Sequence, residues 1–278
     1  MYSGIAFPDI DPVIFQIGFF SLRWYSLAYL VGIALAWWLV RKMSVYSKST
    51  LTVLKIDDFL GWAILGIVLG GRLGYVFFYN FMYFMENPAE ILAVWHGGMS
   101  FHGGLIGVII ATILFCYKQK VNLFMASDMF CAVAPIGLFL GRLANFANGE
   151  LYGRMTTSVP WAIIFPSAGP EPRHPSQLYE ALWEGVVLFV ILNLLWWTSK
   201  KYRSRYGFTA GLFFLLYGAG RMFLELFREP DAHLGFIAAN LTMGQILCLP
   251  MIVLGAWLII HSSPKVQLKK IAKEEQNA

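Results

Sequence analysis

"FHGGLIGVIIATILFCYKQKVNLFMASDMFCAVAPIGLFLGRLANFANGELYG", residues 101–153, holds two long apolar runs parted only by Lys118, Gln119, Lys120 and Asn122. At about 1.5 Å per residue, each run reaches the roughly 20 residues needed to cross a hydrocarbon core. The polar break reads as a tight turn, so the pair is an antiparallel couple of membrane helices. The second run then changes character, placing Arg142, Asn145, Asn148 and Glu150 within nine positions. An ionised group at mid-bilayer costs at least about 2.5–3.5 kcal/mol, so Arg142 needs a partner, water or a function.

The rest of the chain extends this pattern. Of its 278 residues 58% are hydrophobic, 17% aromatic and only 13% charged, against about 25% charged in globular domains. The expected fold is an all-α integral membrane protein, one polytopic domain over 1–278 with about seven transmembrane helices. Spans are predicted near 17–40, 57–79, 97–117, 123–147, 176–198, 208–229 and 236–261. A six-span alternative arises if the run around Arg72 only dips into the membrane. Residues 1–16 contain Asp9 and Asp11 but no basic group, which does not match a cleavable signal peptide. Cys116, Cys131 and Cys248 lie in apolar runs without a CxxC pattern, so they read as packing residues rather than redox or metal groups.

Basic residues set the expected direction, because cytoplasmic loops carry the excess of Lys and Arg. One set of connections holds Arg41, Lys42, Lys48 and Lys55, then Lys118 and Lys120, then Lys200, Lys201, Arg203 and Arg205, and finally a basic tail over 262–278. The other set has only Arg154, Arg173 and Arg228. The N-terminus is therefore expected outside and the C-terminus in the cytoplasm. The net charge of +5 then reflects a basic face against anionic lipid headgroups, not nucleic-acid binding. The connection 148–175 contains five prolines and is expected to be an ordered external loop or small head.

With direction assigned, the polar groups of six spans fall in the outer leaflet. Arg23 and Tyr25 lie early in the first, Arg72 late in the second, His102 early in the third, and Arg142, Asn145 and Asn148 at the end of the fourth. Gln177, Glu180 and Glu184 start the fifth on one helical face, and Arg221 and Glu225 lie one turn apart late in the sixth. Taken singly, each charge is explained by an ion pair between helices. As a set, four arginines at headgroup depth suit a phosphate, which guanidinium grips with two parallel hydrogen bonds.

"HGGMSFHGGLIG", residues 96–107, adds a glycine-rich helix start. Gly103 and Gly104 permit close approach of the backbone to a neighbouring helix or to a ligand. His102 adds an ionisable group at the same depth. His96 and His102 are six apart with no Cys or carboxylate cluster, so a metal site fits poorly.

These stretches resemble the bacterial phosphatidylglycerol–prolipoprotein diacylglyceryl transferase family over essentially the whole chain. "GRLANFANGELYG" (141–153) is similar to its signature, supported by "RWYSLAY" (23–29), "GGMSFHGGLIG" (97–107), "RHPSQLYEALWEG" (173–185) and "YGAGRMFLELFREPD" (217–231). Ala147 departs from the bulkier apolar residue usual in the family and touches only local packing. The resemblance implies an enzyme of the bacterial inner membrane, its active site toward the outer leaflet. It implies transfer of the diacylglyceryl group of phosphatidylglycerol to the lipobox cysteine of a preprolipoprotein signal peptide, with release of glycerol 1-phosphate and no metal or organic cofactor. His102, Arg142 and Arg221 become candidate catalytic residues. Tyr25, Asn145, Asn148, Glu150, Gly153 and Glu225 become candidate substrate-binding residues, with Gly103 and Gly104 beside them. An anionic-lipid transporter and a noncatalytic lipid-binding protein remain the alternatives.

Overall fold

The computed structural model describes residues 4–8, 10–18, 20–230 and 241–262. In chain order the elements are β1 (Ile5–Ala6), β2 (Val13–Ile17), β3 (Phe20–Arg23), α1 (Trp24–Ser47), α2 (Val53–Tyr79), α3 (Phe81–Glu86), α4 (Phe101–Gln119), α5 (Leu123–Ala147) and β4 (Ile163–Ile164). A continuous helix follows, built from α6 (Ser176–Glu180), a π-helical segment (Ala181–Val187) and α7 (Leu188–Thr198). Short α8 (Lys200–Arg203), α9 (Phe208–Leu224) and α10 (Met243–His261) complete the chain.

Among the described residues five helices, 24–47, 101–119, 123–147, 176–198 and 243–261, are long and apolar enough to cross a membrane. Their exposed side chains include Leu30, Tyr29, Phe101, Tyr117 and Val253, a surface that calls for lipid rather than water. α2 and α9 coincide with the two other predicted spans. Several boundaries differ from expectation, three of them by five residues or more at positions that bear on the site. Residues 17–23 do not begin the first helix: β2 and β3 pair antiparallel around Gly18, whose φ of +60° suits a tight hairpin. Arg23 therefore lies exposed on a strand, not inside a span. The sixth helix ends at Leu224 rather than 229, and the seventh starts at Met243, residues 236–240 and the basic tail from 263 onward lying outside the described residues.

The chain divides into two compact units, residues 40–126 and the remainder. In the first, α2 packs along α4 through Gly66, Gly70 and Gly74, four residues apart and hence on one face. A Cβ on Gly74 would come within 2.7 Å of the Gly103 Cα, and one on Gly66 within 2.6 Å of the Gly107 carbonyl oxygen. Small residues let such backbones approach where no hydrophobic force favours association. The predicted tight turn is present: Lys120 closes α4 in the left-handed conformation (φ 50°), and Asn122 Oδ1 accepts from Met125 N at 3.0 Å.

Arg72 belongs to this unit and has a structural task. Its guanidinium donates to the carbonyls of Ile91 (2.8 Å), Glu90 (2.7 Å), Gly97 (2.5 Å) and Gly98 (3.2 Å) and lies over the Phe84 ring. These acceptors take four of its five N–H donors and tie residues 90–98 to α2, so the fork of Arg72 is committed to holding the backbone.

In the second unit α9 packs on α10, where a Cβ on Gly211 would meet the Gly255 carbonyl oxygen at 2.8 Å. Residues 148–175 make short backbone pairings. β4 pairs parallel with β1, and Gly153 bridges Arg228 while Met155 and Ile163 bridge Arg173. Arg173 is buried against the Tyr152 ring, donating to Gly153 O (3.2 Å) and Glu229 (3.0 Å).

Candidate active site

Three helices of the second unit send ionised groups into one buried cluster. Gln177, Glu180 and Glu184 are fully buried at the start of the 176–198 helix. The π-helical segment begins directly after Glu180 and contains Glu184. Its i→i+5 bonding widens one turn, a departure found mostly at functional sites.

Arg142, from the last turns of α5, places Nη1 2.8 Å from Glu180 Oε2. Its Nε and Nη2 donate to Glu184 Oε2 at 3.1 and 3.0 Å. Arg221, from α9, pairs with Glu180 Oε1 and lies 3.7 Å from Glu184 Oε1. It also holds Glu225 Oε2 at 2.8 Å, one turn along its own helix. Arg228 approaches Glu180 Oε1 at 3.5 Å. Three guanidiniums thus meet three carboxylates, and the ionised cluster is formally neutral. That neutrality makes it tolerable in a site of low dielectric.

The cluster is not sealed. The Arg142 and Arg221 side chains keep 15% and 11% of their surface exposed. A guanidinium carries five N–H donors, and the contacts above leave some of them on each arginine for a further acceptor. Glu180 Oε2, Glu184 Oε1 and Glu225 Oε2 accept no well-angled hydrogen bond among the described residues.

Residues of the 141–153 stretch form a polar layer beside it with Tyr25 and Gln177. Asn145 Nδ2 donates to the Tyr25 hydroxyl and to Glu150 Oε1 (3.1 Å). Asn148 Nδ2 reaches Glu150 Oε1 at 3.5 Å, and Gln177 Nε2 donates to the Glu150 carbonyl at 2.6 Å. Glu150 Oε1 thus pairs with these side-chain amides, while Arg142 pairs with Glu180 and Glu184. Gly153 is needed for space: a Cβ would strike the Phe227 carbonyl oxygen and come within 2.6 Å of that of His174. Two recesses border this region. One of about 570 Å³ is apolar and lined by Trp161, His174, Tyr179, Trp183, Phe223 and Phe227 among others. The other, about 410 Å³, is lined by Asn148, Glu150, Tyr152, Ser167, Arg228 and Glu229.

Outside the membrane segments, burial lowers the His174 pKa below its ordinary value. Its Nδ1 lies 3.1 Å from the Tyr179 hydroxyl, which also accepts from Trp161 Nε1 at 2.6 Å.

His102, Gly103 and Gly104 belong to the other unit. Ser100 caps α4, its hydroxyl accepting from Gly103 N at 3.2 Å. Gly103 and Gly104 are buried facing α2, so what they touch is a neighbouring helix. His102 is exposed, edge-on to Phe101.

The sequence matches the prolipoprotein diacylglyceryl transferase family over residues 12–261. It is 55% identical over 256 residues to the phosphatidylglycerol–prolipoprotein diacylglyceryl transferase of Rhodospirillum rubrum, covering 92% of this chain and 93% of the relative. The chain belongs to the prolipoprotein diacylglyceryl transferase family. Relatives of the same name from Azospirillum brasilense (52% identity; 93% and 97% covered) and Rickettsia felis (50%; 94% and 100%) match as fully. The matched region includes the segment 141–153 that supplies Arg142 to the cluster and the amides to its polar layer.

Three participants were missed by sequence reasoning. Arg228 was counted only as a loop charge, yet it faces Glu180. Thr242, the N-cap of α10 in a capping box with Gln245, donates to Glu225 Oε1 at 3.0 Å. The T-x-x-Q spacing was a legible signal. Trp183 lies against Gly220, where no side chain fits, and nothing in the sequence pairs those two.

Proposed function

We propose that this chain transfers the diacylglyceryl group of phosphatidylglycerol to the lipobox cysteine of a preprolipoprotein, and that Arg142 and Arg221 hold the phosphate. The observation carrying this reading is that two guanidiniums from different helices are preset on one buried carboxylate, Glu180. In the reaction the cysteine sulfur forms a C–S bond to the sp³ carbon of the diacylglyceryl group. The bond from that carbon to the phosphate oxygen breaks, and its electron pair leaves with glycerol 1-phosphate. Charge develops on that oxygen, where a preorganised donor in a low-dielectric site is worth about 2.7–4 kcal/mol.

Tyr25, Asn145, Asn148 and Glu150 form a connected set of donors and acceptors suited to the glycerol headgroup. Glu225 orients Arg221. His102 is the proposed acceptor of the thiol proton; it is an exposed imidazole making no hydrogen bond among the described residues. Seven spans with the N-terminus outside would bring the site to the outer leaflet, where a secreted lipobox cysteine arrives; the Lys and Arg asymmetry of the loops supports this direction.

The direct test incubates purified protein with phosphatidylglycerol and a lipobox peptide, following the peptide by mass spectrometry. One added diacylglyceryl group, with glycerol 1-phosphate released in equal amount, is expected. Folded protein that binds the lipid and leaves the peptide unmodified would favour a noncatalytic lipid-binding role.

A further inference from the structure

Asp128 takes no part in the chemistry above, yet it is a carboxylate buried in α5. Its Oδ2 accepts from Gly207 N and its Oδ1 from Ala210 N, both at 2.8 Å. Gly207 is the N-cap position of α9, in the left-handed conformation and with no side chain to cap the helix. A carboxylate from α5 therefore performs the capping that α9 cannot supply itself, at the end where the dipole favours negative charge. Two residues earlier, Arg205 Nη2 donates to Ile259 O at 3.0 Å near the end of α10, which fixes the same corner to a third helix.

The spacing beyond this tie is equal in both helices. Arg142 follows Asp128 by 14 residues, and Arg221 follows Gly207 by 14. At 1.5 Å per residue both arginines stand about 21 Å along their helices from the tie. There Glu180 receives both. A slip of α9 by one residue would shift Arg221 by about 1.5 Å and turn it by roughly 100°, taking the fork off Glu180.

We infer that Asp128 is a positioning residue for the transfer reaction: it sets the register of α9 against α5 so that Arg221 and Arg142 meet at one depth. The inference rests on the reading that these two arginines hold the phosphate.

The test combines turnover with a distance. Nitroxide labels are placed at Leu143→Cys and Phe223→Cys, both exposed, with Cys116, Cys131 and Cys248 replaced by Ala. Asp128→Ala is expected to shift or broaden the interlabel distance by at least about 1.5 Å, one residue of rise, and to lower kcat tenfold or more. Asp128→Asn keeps one acceptor oxygen and should retain a third or more of kcat with a smaller shift. Should Asp128→Ala fail to accumulate, Asp128→Asn alone gives the reading. Combining Asp128→Asn with Arg221→Lys should cost less than the product of the single effects.

An unchanged distance in the accumulating variant, wild-type turnover despite a shifted distance, or strictly multiplicative losses would each overturn the inference. Wild-type turnover of Arg142→Ala and Arg221→Lys would instead overturn the phosphate reading, and the interlabel distance reports on the tie regardless.

Discussion

Glu180→Gln preserves volume and removes one charge from the centre of the cluster. The wild-type side chain is fully buried, 2.8 Å from Arg142, paired with Arg221 and 3.5 Å from Arg228. In the variant three guanidiniums face only Glu184 and Glu225. Leaving a buried charge without its partner costs about 3–5 kcal/mol. At about 2–4 °C per kcal/mol for a chain of this size, the melting temperature should fall by on the order of 10 °C. Turnover should fall about 10²-fold, comparable with the loss of one preorganised donor. An added anion then discriminates between structural glue and a phosphate site. Glycerol 1-phosphate can supply the charge that the neutral amide lacks, so it should raise the melting temperature of Glu180→Gln more than that of the wild type. At a hundredfold excess over Kd the ligand contribution is about 2.7 kcal/mol, enough to read as several degrees. The assay is thermal unfolding in micelles at a fixed heating rate, because such unfolding is often irreversible. Melting within about 2 °C of wild type, less than the shift expected for 1 kcal/mol, or equal anion shifts in the two proteins, would refute the reasoning.

Arg142→Ala should lower turnover more than His102→Ala at neutral pH, because a thiol of pKa about 8.5 is already roughly 3% thiolate at pH 7. In a series of thioether-formation assays, raising the pH toward 9 should partly rescue His102→Ala and leave Arg142→Ala unrescued; a His102 variant dead at high pH would remove this residue from the role of base. Arg221→Lys keeps charge but loses the planar fork, so activity should drop at unchanged membrane abundance on blots. A single Cys at Ser204 should be shielded from an impermeant thiol reagent added outside while one at Ala168 reacts, and the reverse pattern would invert the proposed orientation. The lowered pKa of His174 means the unfolded chain takes up its proton first as pH falls. Stability should therefore decline from about pH 6.5 down to the lower folded value and be flat above; that acid-side slope in melting temperature should vanish in His174→Gln.

Most of the helical frame was legible because apolar length is a strong signal. Five stretches satisfy it outright, and the Lys118–Asn122 break falls at the observed turn. The first span was misjudged over 17–23 because a membrane-length hydropathy window does not distinguish an apolar hairpin from the first turns of a helix. Only Gly18 marked the turn. The arginines were legible as anomalies, their roles less so. Arg72 and Arg142 look alike in sequence, each late in a glycine-containing apolar run. Arg72 ends in a cage of backbone carbonyls, and Arg142 ends on carboxylates 38 and 42 residues away. Which acceptor a guanidinium finds depends on tertiary approach, and no local pattern encodes it. Asp128 shows the same limit, since its partners lie about 80 residues on.

The carboxylates answer an energetic question that the arginines raise. Two guanidiniums held close in a low-dielectric site repel each other, and each loses hydration, so a bare pair would disperse or draw in water. Glu180, ion-paired with both, converts that repulsion into a shared attachment and fixes the orientation of each fork before a ligand arrives. In the proposed reaction an incoming phosphodiester then has no need to displace the carboxylates. Each guanidinium has five donors, of which Arg142 directs Nε and one N–H of Nη2 to Glu184, while its Nη1 ion-pairs with Glu180 at 2.8 Å. The remaining N–H groups on its terminal nitrogens suffice for a phosphate oxygen. As charge grows on the leaving oxygen, those donors are already in place, so the stabilisation falls on the transition state without reorganisation. On this reasoning the glutamates set turnover through the geometry of the arginines. A lysine in place of either arginine would keep the charge and lose the ability to serve the carboxylate and the phosphate at once.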